Sequence, residues 1–291
     1  DEMNNRENIS SKTVEKVLGY QIDVESDMMS LVPHEIDNAV PTKRNILSRV
    51  MGIFDPIGIF VPITIRGRLL LTELWKQDVS WDSPSSPEIQ REWDAISSDL
   101  KELDKMSFPR KALDTDVPTK FVVFCDASKA AYGTAIYAVN SEKSSLVFAK
   151  SKVAPTKTQR SLPTLELLSA FLGFKSIETL LSGLSFGHVQ RIIIAIDAQV
   201  VLNWLLNRNI KTKSMFVFNR LKEIRELKQH LERKYNVHIT FRYIPSTENN
   251  ADVLSRGMTL EKFKEFFPRW INGPEWLTFN CEAWPRGVLG C

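Results

Sequence analysis

The 291-residue chain is sparing in the features that announce several large function classes. It has three cysteines, Cys125, Cys281 and Cys291. So few, in an odd number, build no disulfide framework, and a reducing compartment is expected. Four histidines (His34, His188, His230, His238) with no C-x-x-C pair exclude a zinc site of the usual spacing. No apolar run reaches the ~18 residues that suggest a membrane span, so no membrane partner is expected. The opening DEMNNRENISSK lacks the apolar centre of a signal peptide. The chain does not begin with Met, and a piece of something longer is expected. Charge of one sign is also missing. Against 38 basic residues stand 35 acidic ones, a net charge of +3, so a nucleic-acid surface would have to come from local clustering. There is no DTG or DSG string; DTD at 114–116 is the nearest. No Cys/His pair stands as nucleophile and base either, so peptidase chemistry, aspartic or otherwise, has little support.

What is present is ordinary globular material, 43% apolar and 25% charged, long enough for one large or two modest domains. A polar lead covers 1–16. VLGYQIDV (17–24) reads as a short strand. The apolar run 41–77 is broken at Pro56, Gly58 and Pro62, which predicts helices over about 42–52 and 60–77 joined by the turn FDPIG, with Thr42 as first cap. Ser86-Pro87-Glu88 starts a third helix with an apolar stripe from Ile89 to Leu103. Residues 108–120 hold two prolines and few apolar side chains, which places a boundary there. This leaves a mostly helical segment, 17–112, ahead of a second unit.

The second unit, 119–258, changes rhythm. Residues 120–128, 130–140 and 145–153 are β-rich and closely spaced, as in an antiparallel meander. A helix over 162–183 follows, then the β-branched run QRIIIAID (190–197), which suits a strand covered on both faces. Helices are expected over 198–208 and 215–235, a strand over 237–245, and a short helix over 249–257 with an Asn cap and a Gly stop. The order predicts an α/β fold, a five-stranded mixed sheet flanked by helices. A fragment of about 115–260 should then fold alone. Residues 259–291 form a C-terminal extension.

Four acids hold places where acids are not expected. Asp126 follows FVVFC, Glu166 lies in an apolar helix start, Asp197 ends RIIIAI, and Asp252 opens the short last helix. Singly, each is explained as a turn former or a cap. Together they gather where strands end, the place where open α/β sheets carry function. Four carboxylates cannot stay ionised at close quarters without a counter-charge. Magnesium or manganese supplies it, since hard cations prefer oxygen ligands. Two such ions ~3.5–4 Å apart suit phosphodiester hydrolysis.

At these residues the chain resembles a known family. FCDASKAAYGTAIYA, TLELLSA, AIDAQVVLNW and ENNADVLSRG are similar to the four catalytic blocks of type 1 ribonuclease H domains in LTR retroelements. The strings TKRNILSRVMGIFDPIGIFVPI, LTELWKQDVSWD and WINGPEWL resemble the Pol polyprotein of Bel/Pao retrotransposons, so the likeness runs from about Val17 to Pro285. The resemblance implies a ribonuclease H-like fold behind the end of a reverse transcriptase, its thumb and connection. It implies that Asp126, Glu166, Asp197 and Asp252 are the catalytic, metal-binding acids for two Mg2+ or Mn2+ ions. The substrate would be an RNA–DNA hybrid, the partner the polymerase domain of the same polyprotein, and the setting intracellular, cytoplasmic or within virus-like particles. The 17–112 segment has no YxDD string and would not carry polymerase catalysis; its helices would pack on the polymerase or grip duplex. Ala198 replaces the family's usual Ser. No histidine stands between Tyr243 and Asp252, where many relatives have one. His238 is the nearest, with a packing or surface role expected.

Nucleic-acid contacts are assigned to Gly133, Lys152, Lys211 and Lys213. For Gly133 the competing explanation is a bulge. Residues 205–234 hold nine Lys/Arg against three Glu, a phosphate track or a solvated helix face. Against the nuclease stand two rivals: a catalytically idle, hybrid-binding or structural fragment of a decayed or domesticated element, and, with less behind it, an aspartic-type peptidase.

Overall fold

A computed structural model of the chain describes residues 14–33, 40–77, 79–112, 117, 119–183, 189–207, 212 and 214–285. It opens with β1 (Val14–Val17), β2 (Tyr20–Asp23) and β3 (Met28–Leu31), followed by α1 (Lys43–Gly52), α2 (Val61–Lys76), α3 (Pro87–Lys101) and β4 (Ser107–Pro109). The second half runs β5 (Thr119–Ala127), β6 (Ala131–Val139), β7 (Ser144–Val153), α4 (Leu162–Gly183), β8 (Val189–Ile196), α5 (Gln199–Leu206), α6 (Met215–Tyr235) and β9 (His238–Tyr243). It closes with α7 (Asp252–Arg256) and α8 (Leu260–Asn272).

Two sheets result. The larger has the order β7-β6-β5-β8-β9, with β5 antiparallel to β6 and parallel to β8. This is the expected five-stranded mixed sheet. Both of its faces are covered, which explains the unbroken apolar runs in β5 and β8. Alternation sorts them. Phe121, Val123, Cys125, Ile192, Ile194 and Ile196 pack toward α4, α5 and α6. Val122, Phe124, Ile193 and Ala195 pack the other way, into a core shared with α2, α7 and α8.

The smaller sheet adds to the expected mostly helical segment and corrects the single strand expected over 17–24 behind a polar lead. It is four-stranded and antiparallel, in the order β1-β2-β3-β4. Leu18 (φ 47°) and Gly19 (φ 86°) turn the chain inside what reads as one strand, and Asp27 (φ 55°) turns it again. The lead therefore contributes β1 at its end, and the proline-bearing run contributes β4, whose Phe108 pairs with Met29. Short, weakly apolar strands carry little periodicity, so only tertiary pairing reveals them.

The FDPIG turn does more than join two helices. Asp55 accepts the backbone N–H groups of Gly58 (3.0 Å), Ile59 (3.1 Å) and Phe60 (2.8 Å) and the hydroxyl of Tyr20. Gly58 has φ 89°, and a Cβ there would sit 1.9 Å from the Ala149 carbonyl oxygen. The close approach lets the Ile57 carbonyl accept from Ala149 N–H at 2.8 Å on edge strand β7. Residues 259–285 are equally integral. Trp270 is fully buried; its indole donates to the Ile59 carbonyl and its own carbonyl accepts from Tyr137, both at 2.7 Å.

One apolar core thus runs from Tyr20 through α2, across the sheet, to Trp284. A fragment of residues 115–260 would lack α1–α3 and α8 and expose one face of its sheet. We expect it to bind a hydrophobic dye and melt broadly, whereas the full chain melts in one transition. A sharp, cooperative melt of the fragment alone would show that the first layer is dispensable.

Candidate metal centre

Asp126 lies near the end of β5 and Asp197 immediately after β8. Parallel pairing sets Cys125 beside Ile196, so the two acids leave the sheet as neighbours. Glu166 comes from the second turn of α4, which crosses β5 and β6. The side chains of Asp126, Glu166 and Asp197 bring carboxylate oxygens within 4.8 Å of one another. Asp126 and Glu166 are buried and Asp197 half-buried.

The surroundings make these carboxylates poor anions on their own. Burial, then the charges of Asp197 and Asp252, pushes Asp126 up to about 7, against the pull of a hydrogen bond from Ser255. Burial, then Asp126 and Asp197, pushes Glu166 up to about 9, although the Ala127 N–H donates to it. Glu166 Oε2 is buried with no hydrogen-bond partner among the described residues. An orphaned carboxylate oxygen facing two further acids fits a hard divalent cation, which would satisfy it and neutralise the cluster.

Asp252 stands apart. It is outside the 4.8 Å group, half-exposed, and accepts from Arg256 Nε at 2.6 Å. Its charge still reaches Asp126. The structure therefore gathers three of the four predicted acids and leaves the fourth on the rim. α7, which carries Asp252, is fastened to the sheet by residues the sequence reading passed over. Ser255 Oγ donates to Asp126 Oδ2 (2.5 Å), Ser128 Oγ to the Ser255 carbonyl (2.8 Å), Ser151 Oγ to the Leu254 carbonyl (2.6 Å) and Asn249 Nδ2 to the Cys125 carbonyl (2.9 Å). The three-residue step from Asp252 to Ser255 was the available signal, since it sets both on adjacent faces of one turn. The expected Asn cap is a correction. Ala251 caps α7 without a side-chain bond, and Asn249 instead accepts from Ala251 N–H at 3.1 Å. Gly257 (φ 72°) ends the helix as expected.

The nucleic-acid candidates divide. Gly133 is enclosed: it pairs with Asp126 across the sheet, and a Cβ there would meet Leu254 Cβ at 2.5 Å. Its small size admits α7, so it does not face a nucleic-acid backbone. Lys152 is exposed on β7 opposite Tyr132. Lys211 and Lys213 lie outside the described residues. On α6, Arg220 pairs with Glu223, Lys222 with Glu226 and Lys228 with Glu232. Arg225 donates to the Trp204 and Asn207 carbonyls. Those basic residues behave as a paired helix face rather than a phosphate track. His238 is on the surface, its side chain 73% exposed, near Glu232.

A family model described as the Pao retrotransposon-like RNaseH-like domain matches residues 42–198, more than half of the chain and including Asp126, Glu166 and Asp197. No curated protein matches. Among solved structures, the chain is similar to the N-terminal RNase H domain of a Mycobacterium tuberculosis protein (15% identity, TM-score 0.36, covering 47% of this chain and 91% of that one). It is also similar to RNase H1 of the archaeon Halobacterium salinarum (13%, 0.36, 48% and 95%). A foamy viral protease–reverse transcriptase solved with double-stranded DNA aligns over 79% of this chain and 37% of its own length (17%, 0.47).

Two outcomes test the centre. Carboxyls whose folded proton affinity is raised make the native state hold more protons than the unfolded chain, where carboxylates titrate near ~4. Metal-free stability should therefore be highest in mild acid and fall as pH rises through about 7 and about 9. Denaturant titrations from pH 5 to 9 should show that decline, flattened in Glu166→Gln and offset by added Mg2+ at pH 8; an equal decline in Glu166→Gln would sever it from Glu166. Separately, Ser255→Ala should leave the fold but lose the hold on Asp126, weakening the Mn2+-induced rise in melting temperature by roughly the ten- to hundredfold affinity loss typical of second-layer ligand partners.

Proposed function

The chain belongs to the Pao retrotransposon-like family of RNaseH-like domains, and from that premise we propose that it hydrolyses the RNA strand of RNA–DNA hybrids with divalent cations, as the ribonuclease H part of a retroelement reverse transcriptase. The observation that carries the reading is the convergence of Asp126, Glu166 and Asp197 within 4.8 Å, with Glu166 Oε2 buried and unpartnered. These three would hold one Mg2+ or Mn2+, and Asp252 at the rim would help to hold a second. Bound there, such ions supply charge neutralisation, an activated water and stabilisation of the leaving 3′ oxygen.

The remaining work falls to the chain. Ser255 fixes one oxygen of Asp126, and the hydrogen bond leaves its other oxygen for the cluster. Leu165 and Ala127, beside two of the acids, pack with Leu168 into a small apolar patch. Attack by water at phosphorus leaves a 5′-phosphate and a 3′-hydroxyl, and the 2′-hydroxyl distinguishes RNA from DNA. Exposed Lys152, together with Lys211 and Lys213, would contact the sugar-phosphate backbone. The partner in this reading is the polymerase domain of the same polyprotein. A second reading, a catalytically idle hybrid binder, is favoured by Asp252 standing outside the three-acid group and by the absence of histidine between Tyr243 and Asp252.

A hybrid-cleavage assay decides between them. With Mg2+ or Mn2+ the full chain should cut the RNA strand and spare single-stranded RNA. Asp126→Asn and Asp197→Asn should each lower the rate at least about a hundredfold, while hybrid affinity stays within a few-fold because phosphate contacts are kept. Intact RNA with tight hybrid binding by the unmodified chain would establish the idle binder.

A further inference from the structure

α7 brings two opposite charges to the site. Asp252 opens the helix, and Arg256 one turn later closes it and donates to Asp252 Oδ1 at 2.6 Å. On an isolated helix such a pair is worth a few tenths of a kcal/mol and decides nothing. Two features of this site change that. The helix cannot carry the pair away, because Ser128, Ser151, Asn249 and Ser255 tie it to β5 and β7. Directly after it, a Cβ at Gly257 would meet Arg66 Cγ at 2.7 Å, so the end of the helix is packed as tightly as its middle. The pair is therefore held beside the three-acid cluster.

The charge of Arg256 is felt beyond its partner. It favours the ionised forms of both Asp126 and Glu166, and Asp197 in turn favours the charged guanidinium. In the absence of a metal ion, Arg256 is thus a counter-charge to all four acids. Its side chain is 64% exposed, so the guanidinium is open to solvent. The segment leading into the helix, IPSTENNA (244–251), brings no basic residue. A planar guanidinium with five donors matches a phosphate as well as it matches a carboxylate.

We propose that Arg256 is a positioning residue that exchanges partners: it holds Asp252 out of the three-acid cluster until a divalent cation claims that carboxylate, and is then released to a phosphate oxygen of the bound strand. The idea rests on the hybrid-nuclease reading and adds to it a residue with two opposed effects. Arg256 opposes cation binding to the free protein, because the ion must displace it from Asp252 and share its surroundings. It favours the nucleic acid once the ion is in place. A structural surface pair would do neither.

The test uses the full chain with Arg256→Ala and Arg256→Lys, both checked for an unchanged melting temperature in chelator. Calorimetric titration with Mn2+ alone, without nucleic acid, should show tighter binding in Arg256→Ala, by roughly three- to tenfold for one like charge removed at a few ångströms near the surface. Arg256→Lys should stay within about twofold of the unmodified chain, since the charge remains. At saturating Mn2+, KM for the hybrid should rise several-fold in Arg256→Ala with kcat little changed, and the salt dependence of kcat/KM should fall by about one phosphate contact. Unchanged or weaker Mn2+ binding in Arg256→Ala overturns the proposal, as does a normal KM with a normal salt slope. Failure of the unmodified chain to cut the hybrid sinks the nuclease reading instead, and the calorimetric arm still decides whether Arg256 opposes the cation.

Discussion

Three carboxylates whose oxygens lie within 4.8 Å repel one another, and two of them are buried where water cannot screen the repulsion. That conflict organises the end of the sheet. Ser255 donates to Asp126, and Arg256 balances Asp252 and, at longer range, the rest, while the charge of Asp252 adds to the repulsion at Asp126. Packing holds the strain in place. Asp126 and Asp197 leave adjacent strands whose inner residues are wholly buried, so neither strand can shift to separate them. A site strained in this way is one that a divalent cation would stabilise, and cation and proton would then compete for it.

The same sheet depends on a first layer that is more than an appendage. Val122, Phe124 and Tyr137 face α2, α7 and α8, and Trp270 links β6 to the turn before α2 through its backbone and its indole. α2 also packs on α7. The helix that carries Asp252 and Arg256 is therefore pressed between the five-stranded sheet and the N-terminal layer. Any change in how that layer docks reaches the rim of the site through α7, and reaches Asp126 through its hydrogen bond from Ser255. No described helix is long and apolar enough to cross a membrane.

Much of this was legible from the residues. α1, α2, α4 and α6 fall where apolar spacing, prolines and a terminal glycine place them, and β5 and β8 where β-branched runs place them. Asp126, Glu166 and Asp197 stood out because acids interrupt apolar context only at a cost. The small N-terminal sheet was not legible as a whole, since β1–β4 are three or four residues long, β1–β3 turn at Leu18–Gly19 and Asp27, and β4 joins from beyond α3. Gly133 was ambiguous for a different reason. A glycine in a strand says that something comes close, and only the fold says that it is Leu254.

Local chemistry and periodicity determined the five-strand α/β plan, the helix limits and the four candidate acids, because side-chain spacing and strand ends are properties of neighbours in sequence. Contacts between distant segments decided the rest. Asp252 lies 126 residues after Asp126 in the chain, and whether it joins the cluster or turns to Arg256 depends on where the seryl and asparagine ties seat α7. The fate of the apolar face of β5 likewise depends on α2 and α8, which arrive from opposite ends of the chain. No pattern within a short window contains such distances, because the free energy that sets them is released only when the whole core closes.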